Sequence, residues 1–148
     1  MKSGAEAPAA IDPAAIALAY LVALGGDDPA AVIALVADDF ANEHIAELAS
    51  GSRGRDAYAR RLSGFFEAFP NRRYTVEHVA IGELAAARDD RSATEVIVEY
   101  RFGADVDGTR IDLPGIMWIS VSDGEVTRRL DSWDSLTYQR QTGTPVDE

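Results

Sequence analysis

Apolar residues recur at helical spacing in three segments of the first half of the chain. The first predicted helix begins at Asp12-Pro13, because Asp is a favoured N-cap and Pro is favoured at the first helical position, and it ends at Gly25-Gly26. The second begins at Asp28-Pro29 by the same signal and is expected to end at Asp38-Asp39. The third covers residues 54–69, where large apolar residues form one face, and a proline closes it.

The second half of the chain has the composition of β-strands. The runs 74–82, 93–102, 110–121 and 125–133 are predicted strands, and they are joined by turns at Asp89-Asp90, Asp107-Gly108 and Asp123-Gly124. Asp-Gly between two such runs is a strong hairpin signal, so consecutive strands are expected to be antiparallel. Helices followed by an antiparallel meander predict an α+β fold.

The last predicted hairpin places Asp131 in the middle of a strand. Alternate residues of a strand point to the same side of the sheet, so Thr127, Arg129, Asp131 and Trp133 are expected to share one face. A carboxylate is then held on a rigid element between a guanidinium group and an indole. This pattern predicts either a structural ion pair or a functional site.

Length, charge and cysteine content narrow the class of protein. The 148 residues are expected to form one domain over residues 12–143, with flexible ends at 1–11 and 144–148. The absence of cysteine excludes disulfides and cysteine-ligated metals and favours a cytoplasmic location.

The charge and the histidine content exclude several kinds of partner. A net charge of −11 opposes binding to nucleic acid or to anionic membranes, and no apolar run reaches membrane-spanning length. The two histidines lack ligand spacing, so no metal site is predicted.

Several short motifs occur in a defined order along the chain. They are Ala37-Asp38-Asp39, Gly54-Arg55-Asp56-Ala57, Phe69-Pro70, Asp123-Gly124-Glu125-Val126, and Asp134 followed by Arg140-Gln141-Thr142-Gly143. In this order, over residues 12–143, the chain resembles the nuclear transport factor 2-like superfamily, and its tail motif resembles that of SnoaL-like polyketide cyclases. The resemblance implies three N-terminal helices packed on a strongly curved, mixed or antiparallel sheet that forms a cone with an internal pocket. This fold serves isomerases, cyclases, dehydratases, epoxide hydrolases and binding modules.

Resemblance to the steroid isomerases of this superfamily implies two residues for proton transfer. The Tyr on the first helix and the Asp just past the Ala-Asp-Asp motif correspond to Tyr20 and His44. The isomerases' second oxyanion donor, a protonated Asp, corresponds to a position near Met117, which cannot donate a hydrogen bond. SnoaL-like cyclases use a base that resembles Asp131.

Limonene epoxide hydrolase, another relative, holds a water with an Asp-Arg-Asp row, a Tyr and an Asn. The Arg and the final Asp of that row correspond to Arg101 and Asp131, and Gly103 stands at the other Asp position. The Tyr and Asn positions hold Asn42 and His44, so the hydrolase pattern is half present. Glu99 lies on the same strand face as Arg101 and is a candidate for the missing carboxylate.

The chemistry implied by these residues is general acid–base catalysis without a cofactor. An unperturbed histidine has a pKa of roughly 6.5, so His44 is a candidate to take and return a proton near neutral pH. Asp131 would orient His44 or act alone as the base. Tyr20 would donate to a developing enolate or alkoxide, and Arg101 would hold a substrate carboxylate or orient Asp131.

The expected ligand is a small apolar or polycyclic oxygenated metabolite. The residues predicted to contact it are Asn42, Phe65, Phe66, Phe69, Glu99, Leu113, Met117, Ile119, Arg129 and Trp133. The back of the sheet also carries apolar residues, namely Ile116, Trp118 and Leu130, which predicts a homodimer through that face.

Each candidate residue also has a purely structural interpretation. Asp131 could pair with Arg101 or Arg129 in a structural bridge, and Tyr20 could simply pack in the core. The first functional hypothesis is therefore a cyclase or isomerase that uses acid–base chemistry. The alternatives are an epoxide hydrolase and a catalytically silent domain of the same fold for ligand binding or dimerisation.

Overall fold

A computed structural model of the chain describes residues 12–45, 51–83 and 92–143. The elements in chain order are α1 (Pro13–Leu24), α2 (Pro29–Ile33), β1 (Val36–His44), β2 (Ser52–Arg53), α3 (Arg55–Ala68), β3 (Arg73–Gly82), β4 (Thr94–Val106), β5 (Thr109–Ser122), β6 (Glu125–Trp133) and α4 (Ser135–Thr142). Within these stretches, no helix combines the length and apolarity needed to cross a membrane.

The six strands form one mixed sheet in the order β2-β1-β6-β5-β4-β3. The predicted antiparallel meander is confirmed for β3 to β6, whereas β1 runs parallel to β6 beside it. The N-terminal helices pack on the sheet, which curves around an internal pocket without closing into a barrel. The predicted α+β cone is therefore confirmed.

The first and third helices begin and end where the sequence predicts. Asp12 caps α1 by accepting a hydrogen bond from the backbone N–H of Ala14, and α3 ends at the cap residue Phe69, directly before Pro70. Both ends are determined by local chemistry, which explains why the sequence predicts them correctly.

The second helix is shorter than predicted, and Asp38-Asp39 does not end it. The helix stops at Ile33, and the following residues form β1 because their main chain pairs with β6. In this strand Val36 is fully buried, whereas Asp38 points outward and pairs with Arg55 at 2.6 Å. The acidic pair is thus part of a strand whose partner lies about 90 residues later in the chain.

Both described hairpin turns have the predicted geometry. Asp107 and Gly108, and likewise Asp123 and Gly124, have positive φ angles between 48° and 81°, as a type I′ turn requires. The predicted turn at Asp89-Asp90 lies outside the described residues, as do both chain ends that were expected to be flexible.

A fourth helix, α4, follows the sheet and was not predicted. Asp134 caps its start by accepting from the N–H of Thr137 at 3.0 Å. The side-chain amide of Gln141 binds the backbone of Asp112 twice, accepting from its N–H at 2.9 Å and donating to its carbonyl at 3.0 Å. These two bonds fasten α4 to β5.

A buried arginine joins the ends of α1 and α3. The guanidinium of Arg72 donates to the carbonyls of Leu24 and Gly26 at 2.9 and 2.6 Å, and to those of Phe66 and Phe69 at 2.9 Å each. The last carbonyls of a helix have no partner within the helix, so one side chain satisfies groups at both helix ends. Arg72 thereby sets how α3 lies against α1.

Candidate active site

A cavity of about 430 Å³ opens between α3, α4 and the concave face of the sheet. Its volume lies in the range of small-molecule sites. Most of its lining is aromatic or aliphatic. The lining residues are Leu24, Asn42, His44, Tyr58, Arg61, Leu62, Gly64, Phe65, Ala68, Phe69, Tyr74, Tyr100, Phe102, Leu113, Arg129, Asp131, Trp133 and Tyr138.

Asp131 is the one acidic residue among the described residues that line this cavity. Its side chain is buried, and the residue is only 3% exposed. Its Oδ1 accepts a hydrogen bond from the hydroxyl of Tyr100 at 2.6 Å, and its Oδ2 accepts one from Nη2 of Arg129 at 2.8 Å. Arg129, Asp131 and Trp133 line the same pocket, in agreement with the strand alternation. A buried charge with two strong donors is held in one position.

Tyr100 was not among the predicted site residues. Its position follows from β4, where Val98, Tyr100 and Phe102 are buried in alternation with more exposed residues. Burial, followed by the charge of Asp131, raises the pKa of Tyr100, so its hydroxyl stays protonated and donates to the carboxylate. The alternation of apolar residues in the sequence was the signal for this inward-facing position.

Gly115 makes room for Tyr100 on the neighbouring strand. The two residues are directly paired between β4 and β5. A Cβ atom at Gly115 would overlap the ring and hydroxyl of Tyr100, because the phenol lies directly over the glycine. The glycine therefore allows the hydroxyl to reach Asp131.

Arg129 lies one inward-facing position before Asp131 and is fully enclosed. Burial acts to lower the pKa of Arg129, but the neighbouring Tyr20 and Asp131 outweigh it, so the guanidinium stays charged. Its Nη1 donates to Oδ1 of Asn42 at 3.3 Å, while its Nε has no hydrogen-bond partner within the described part of the chain. The site thus contains a buried cation in contact with its carboxylate.

His44 lies beside Asp131 because β1 runs parallel to β6, which aligns the two residues. Its Nδ1 is 4.0 Å from Oδ2 of Asp131 and makes no hydrogen bond to any described residue. Burial lowers the pKa of His44 to about 4, and the charge of Arg129 contributes to this shift more than Asp131 opposes it. The expectation of an imidazole that titrates near neutrality is therefore corrected, since His44 is neutral at pH 7.

Tyr20 reaches the cavity only through a second tyrosine. It is completely buried, and its hydroxyl lies 2.6 Å from the hydroxyl of Tyr58, which lines the pocket. Burial raises the pKa of both phenols, so both remain protonated. Tyr58 was missed as a site residue, although its helical spacing with Leu62 and Phe65 indicated that it faces inward.

Arg101 and Glu99 lie outside the pocket, contrary to expectation. Arg101 pairs with Asp112 at 2.9 Å and Glu99 with His78 at 2.9 Å, all of them on the exposed side of the sheet. Adjacent strand residues point to opposite sides, so the inward position of Tyr100 forces both of its neighbours outward. The Arg of the epoxide-hydrolase row is thus not matched by a pocket residue on β4.

The predicted apolar contacts are divided between pocket and core. Phe65, Phe69 and Leu113 line the cavity, as do Asn42 and Trp133. Three further predicted residues do not line it. The ring of Phe66 packs under the guanidinium of Arg72 at 3.6 Å, and Met117 and Ile119 are buried as cross-strand neighbours of Asp131 and Arg129.

The curved mixed sheet and the N-terminal helices, which pack on it around an aromatic pocket, form the cone fold of the nuclear transport factor 2-like class. Within this class, the chain belongs to the SnoaL-like domain family, whose model matches residues 17–129. No curated protein matches the sequence.

Solved structures of similar fold come from several bacteria. A protein with a ketosteroid isomerase-like fold from Catenulispora acidiphila aligns over 88% of this chain and 93% of its own, with a TM-score of 0.72 and 20% identity. An LEH-like epoxide hydrolase of M. tuberculosis aligns over 87% and 88%, with a TM-score of 0.67 and 21% identity. A protein from Jannaschia sp. CCS1 assigned to the SnoaL-like polyketide cyclases aligns over 97% and 100%, with a TM-score of 0.69 and 16% identity. At these identities the similarity shows the fold alone.

Proposed function

We propose that the protein is a cofactor-independent enzyme of the cyclase or isomerase type, which acts on an apolar oxygenated metabolite by general acid–base catalysis. The observation that carries this proposal is the buried carboxylate of Asp131, which faces an aromatic cavity of about 430 Å³. Buried charges with specific partners inside a cleft are typical of functional sites.

In the proposed reaction, Asp131 removes a proton from a carbon next to a carbonyl group of the substrate. The electron pair of the broken C–H bond moves toward the carbonyl oxygen and forms an enolate. In a cyclase, the enolate carbon then attacks a second carbonyl, and the proton held by Asp131 passes to the new alkoxide. In an isomerase, the proton returns to a different carbon of the same molecule. Either sequence balances without an oxidant or a reductant.

The other polar residues of the pocket support this step. Tyr58 lines the cavity as a protonated phenol, and the neutral imidazole of His44 carries one N–H, so both are candidates to donate to the enolate oxygen. Tyr20 would act behind Tyr58 by fixing the direction of its hydroxyl. Tyr100 and Arg129 would hold the carboxylate in the position required for proton transfer.

Epoxide hydrolysis is the second candidate. The distance of 4.0 Å between His44 Nδ1 and Asp131 Oδ2 suits a water molecule that hydrogen bonds to both atoms, and such a water could attack an epoxide. The residues of β4 that line the cavity are Tyr100 and Phe102, and neither carries a carboxylate. The other Asp of the Asp-Arg-Asp row therefore has no counterpart among these residues. For this reason epoxide hydrolysis ranks behind cyclisation or isomerisation.

The test compares Asp131→Asn with Asp112→Asn, an exposed aspartate on the outer side of the sheet. Thermal shift with steroid enones, anthracycline-type polyketides and terpene epoxides identifies ligands, and product analysis follows for each one. We expect Asp131→Asn to retain binding and lose at least about 100-fold in turnover, since a positioned base contributes that much, while Asp112→Asn behaves as wild type. Unchanged turnover in Asp131→Asn would exclude Asp131 as the base. A ligand that binds wild type and is not converted would favour a binding domain.

A further inference from the structure

We propose that Tyr74, on the edge strand β3, donates the hydrogen bond that binds the carbonyl oxygen of the substrate. The inference rests on the proposed function, because it concerns the same pocket and the oxygen on which the enolate charge develops. It makes Tyr74 a catalytic residue, and it makes a carbonyl group, which accepts hydrogen bonds, a requirement for tight binding in the pocket.

Tyr74 is the side chain that β3 contributes to the cavity. Among the ten residues of this strand, all of them within the described part of the chain, only Tyr74 is not exposed. It pairs with Phe102 of β4, and its ring centroid lies 4.9 Å from that of Phe102 and 5.3 Å from that of Tyr100. Directly paired residues of neighbouring strands share one face of the sheet, and Phe102 lines the cavity. The register of β3 therefore turns the Tyr74 hydroxyl group to the inside.

The phenol of Tyr74 lies close to the charged centre of the site. Burial raises the pKa of Tyr74, and two charges act on it as well, since Arg129 lowers this pKa and Asp131 raises it. The net effect is a rise, so the hydroxyl group keeps its proton at pH 7. The residue is nevertheless partly exposed and lines the cavity, so a ligand in the pocket can reach it.

Tyr74 is available to a ligand because its hydroxyl group makes no hydrogen bond to any described residue. The other phenols of the pocket next to Asp131 already have partners at 2.6 Å, since Tyr100 donates to Asp131 and Tyr58 pairs with Tyr20. A ligand oxygen at either of these would compete with an existing hydrogen bond, whereas at Tyr74 it adds one. A hydroxyl group enclosed in an apolar pocket without a partner is unfavourable, so the pocket favours a ligand that supplies an acceptor.

In the proposed reaction, the Tyr74 hydroxyl group donates to the carbonyl oxygen before and after the enolate forms. Asp131 takes the proton from the neighbouring carbon, and the electron pair of that C–H bond moves to the oxygen. The charge that develops on the oxygen strengthens the hydrogen bond from the phenol. The phenol keeps its own proton throughout, since burial raises the pKa of Tyr74. Tyr74 thus stabilises the enolate by a hydrogen bond and not by proton transfer.

Two matched ligands test this role: 2-acetylnaphthalene and 2-isopropenylnaphthalene, in which a CH2 group replaces the carbonyl oxygen. Their affinities follow from the quenching of tryptophan fluorescence, because Trp133 lines the cavity. We expect Tyr74→Phe to weaken binding of the ketone about fivefold and to leave binding of the alkene unchanged, since the variant loses one hydrogen bond. Tyr138→Phe is the control, because Tyr138 lines the cavity from α4 and packs against Phe69 and Trp133. It should change both affinities by the same factor.

Infrared spectroscopy of the bound ketone reports the hydrogen bond directly. The carbonyl band is isolated by subtracting the spectrum of ligand labelled with carbon-13 at the carbonyl. This band should lie at lower frequency in wild type and in Tyr138→Phe than in Tyr74→Phe. A Tyr74→Phe variant that weakens both ligands equally, weakens neither, or leaves the carbonyl band in place would overturn the inference, as would failure of wild type to bind the ketone. A ketone-specific loss confined to Tyr58→Phe would assign the oxygen to Tyr58 instead.

The proposed function and this inference fail in different experiments. Binding of the ketone needs no base, so the ketone-specific effect of Tyr74→Phe should persist when Asp131→Asn is also present. If Asp131→Asn loses turnover while Tyr74→Phe binds both ligands as wild type does, the enzyme proposal stands and the role of Tyr74 is removed. If ketone binding depends on Tyr74 and no substrate is converted, the pocket binds carbonyl compounds and the enzyme proposal fails.

Discussion

At the scale of single residues, the site depends on a glycine as much as on its charged side chains. Asp131 faces the cavity because strand alternation puts it there, but Tyr100 reaches its carboxylate only because Gly115 lacks a side chain. Asp131 was predicted from the sequence. The glycine could not be recognised there, since its neighbour in space comes from another strand.

Gly115→Ala should reproduce the effect of Tyr100→Phe. The added methyl group displaces the phenol, so both variants lose the hydrogen bond to Asp131 and should lower turnover by a similar factor, about 10- to 100-fold. Gly82→Ala is the control, because a Cβ atom at Gly82 meets no atom of a described residue within 4 Å. Steady-state kinetics with a substrate from the ligand screen measures the effect. A fully active Gly115→Ala enzyme would show that the contact between Tyr100 and Asp131 is dispensable.

His44 should make stability depend on pH in the acid range. Its pKa is about 4 in the folded protein and near 6.5 in an unfolded chain, so the unfolded state binds the proton first as the pH falls. The free energy of unfolding should therefore be unaffected by His44 above pH 6.5 and should decrease between pH 6.5 and 4, by up to roughly 3 kcal/mol. Urea unfolding of His44→Gln should show a flatter profile than wild type over this range. An equally steep decrease in His44→Gln and in wild type would contradict this prediction.

At the scale of elements, local signals determined most helix ends and hairpins. The Asp-Pro starts of α1 and α2 and the two Asp-Gly turns lie where the sequence predicts, because the residues that form each signal are neighbours in the chain. The boundary between α2 and β1 was predicted wrongly. Residues 36–44 are extended because β6, far away in sequence, offers them hydrogen-bond partners.

The Arg72 contact between helix ends should be important for stability. Arg72→Met retains the apolar stem but leaves four helix-terminal carbonyls without their donor, so we expect a loss of about 3 kcal/mol in the free energy of unfolding. Arg73→Met alters an exposed arginine at the next position and should cost little. Denaturant unfolding monitored by circular dichroism measures both variants. Equal stabilities would mean that water replaces the guanidinium at those carbonyls.

At the scale of the whole molecule, we propose a homodimer through the outer face of the sheet. Ile116 is 51% exposed there and lies between β4 and β6, opposite Glu99 and Ser132. Trp118 and Leu130, paired across β5 and β6, are partly exposed. An apolar cluster on a sheet face is typical of surfaces that bind a partner.

Ile116→Asp should therefore yield monomers in sedimentation velocity experiments in which wild type sediments as a dimer. A charge in the centre of an apolar interface is left without a partner and opposes association. Val22→Asp is the control, because Val22 is 77% exposed on α1, away from the sheet's outer face. A monomeric wild type at high concentration would contradict the proposed dimer.

The sequence by itself determined the α+β class, the Asp caps of α1 and α2, the two Asp-Gly hairpin turns and the common face of Arg129, Asp131 and Trp133, because each depends on residues close together in the chain. Only the tertiary structure decided which residues surround Asp131. The parallel pairing of β1 with β6 brings His44 and Asn42 to the site, and the register of β4 turns Tyr100 inward and Arg101 outward. A shift of one residue reverses every side chain of a strand, so contacts between distant strands depend on a register that sequence spacing leaves open.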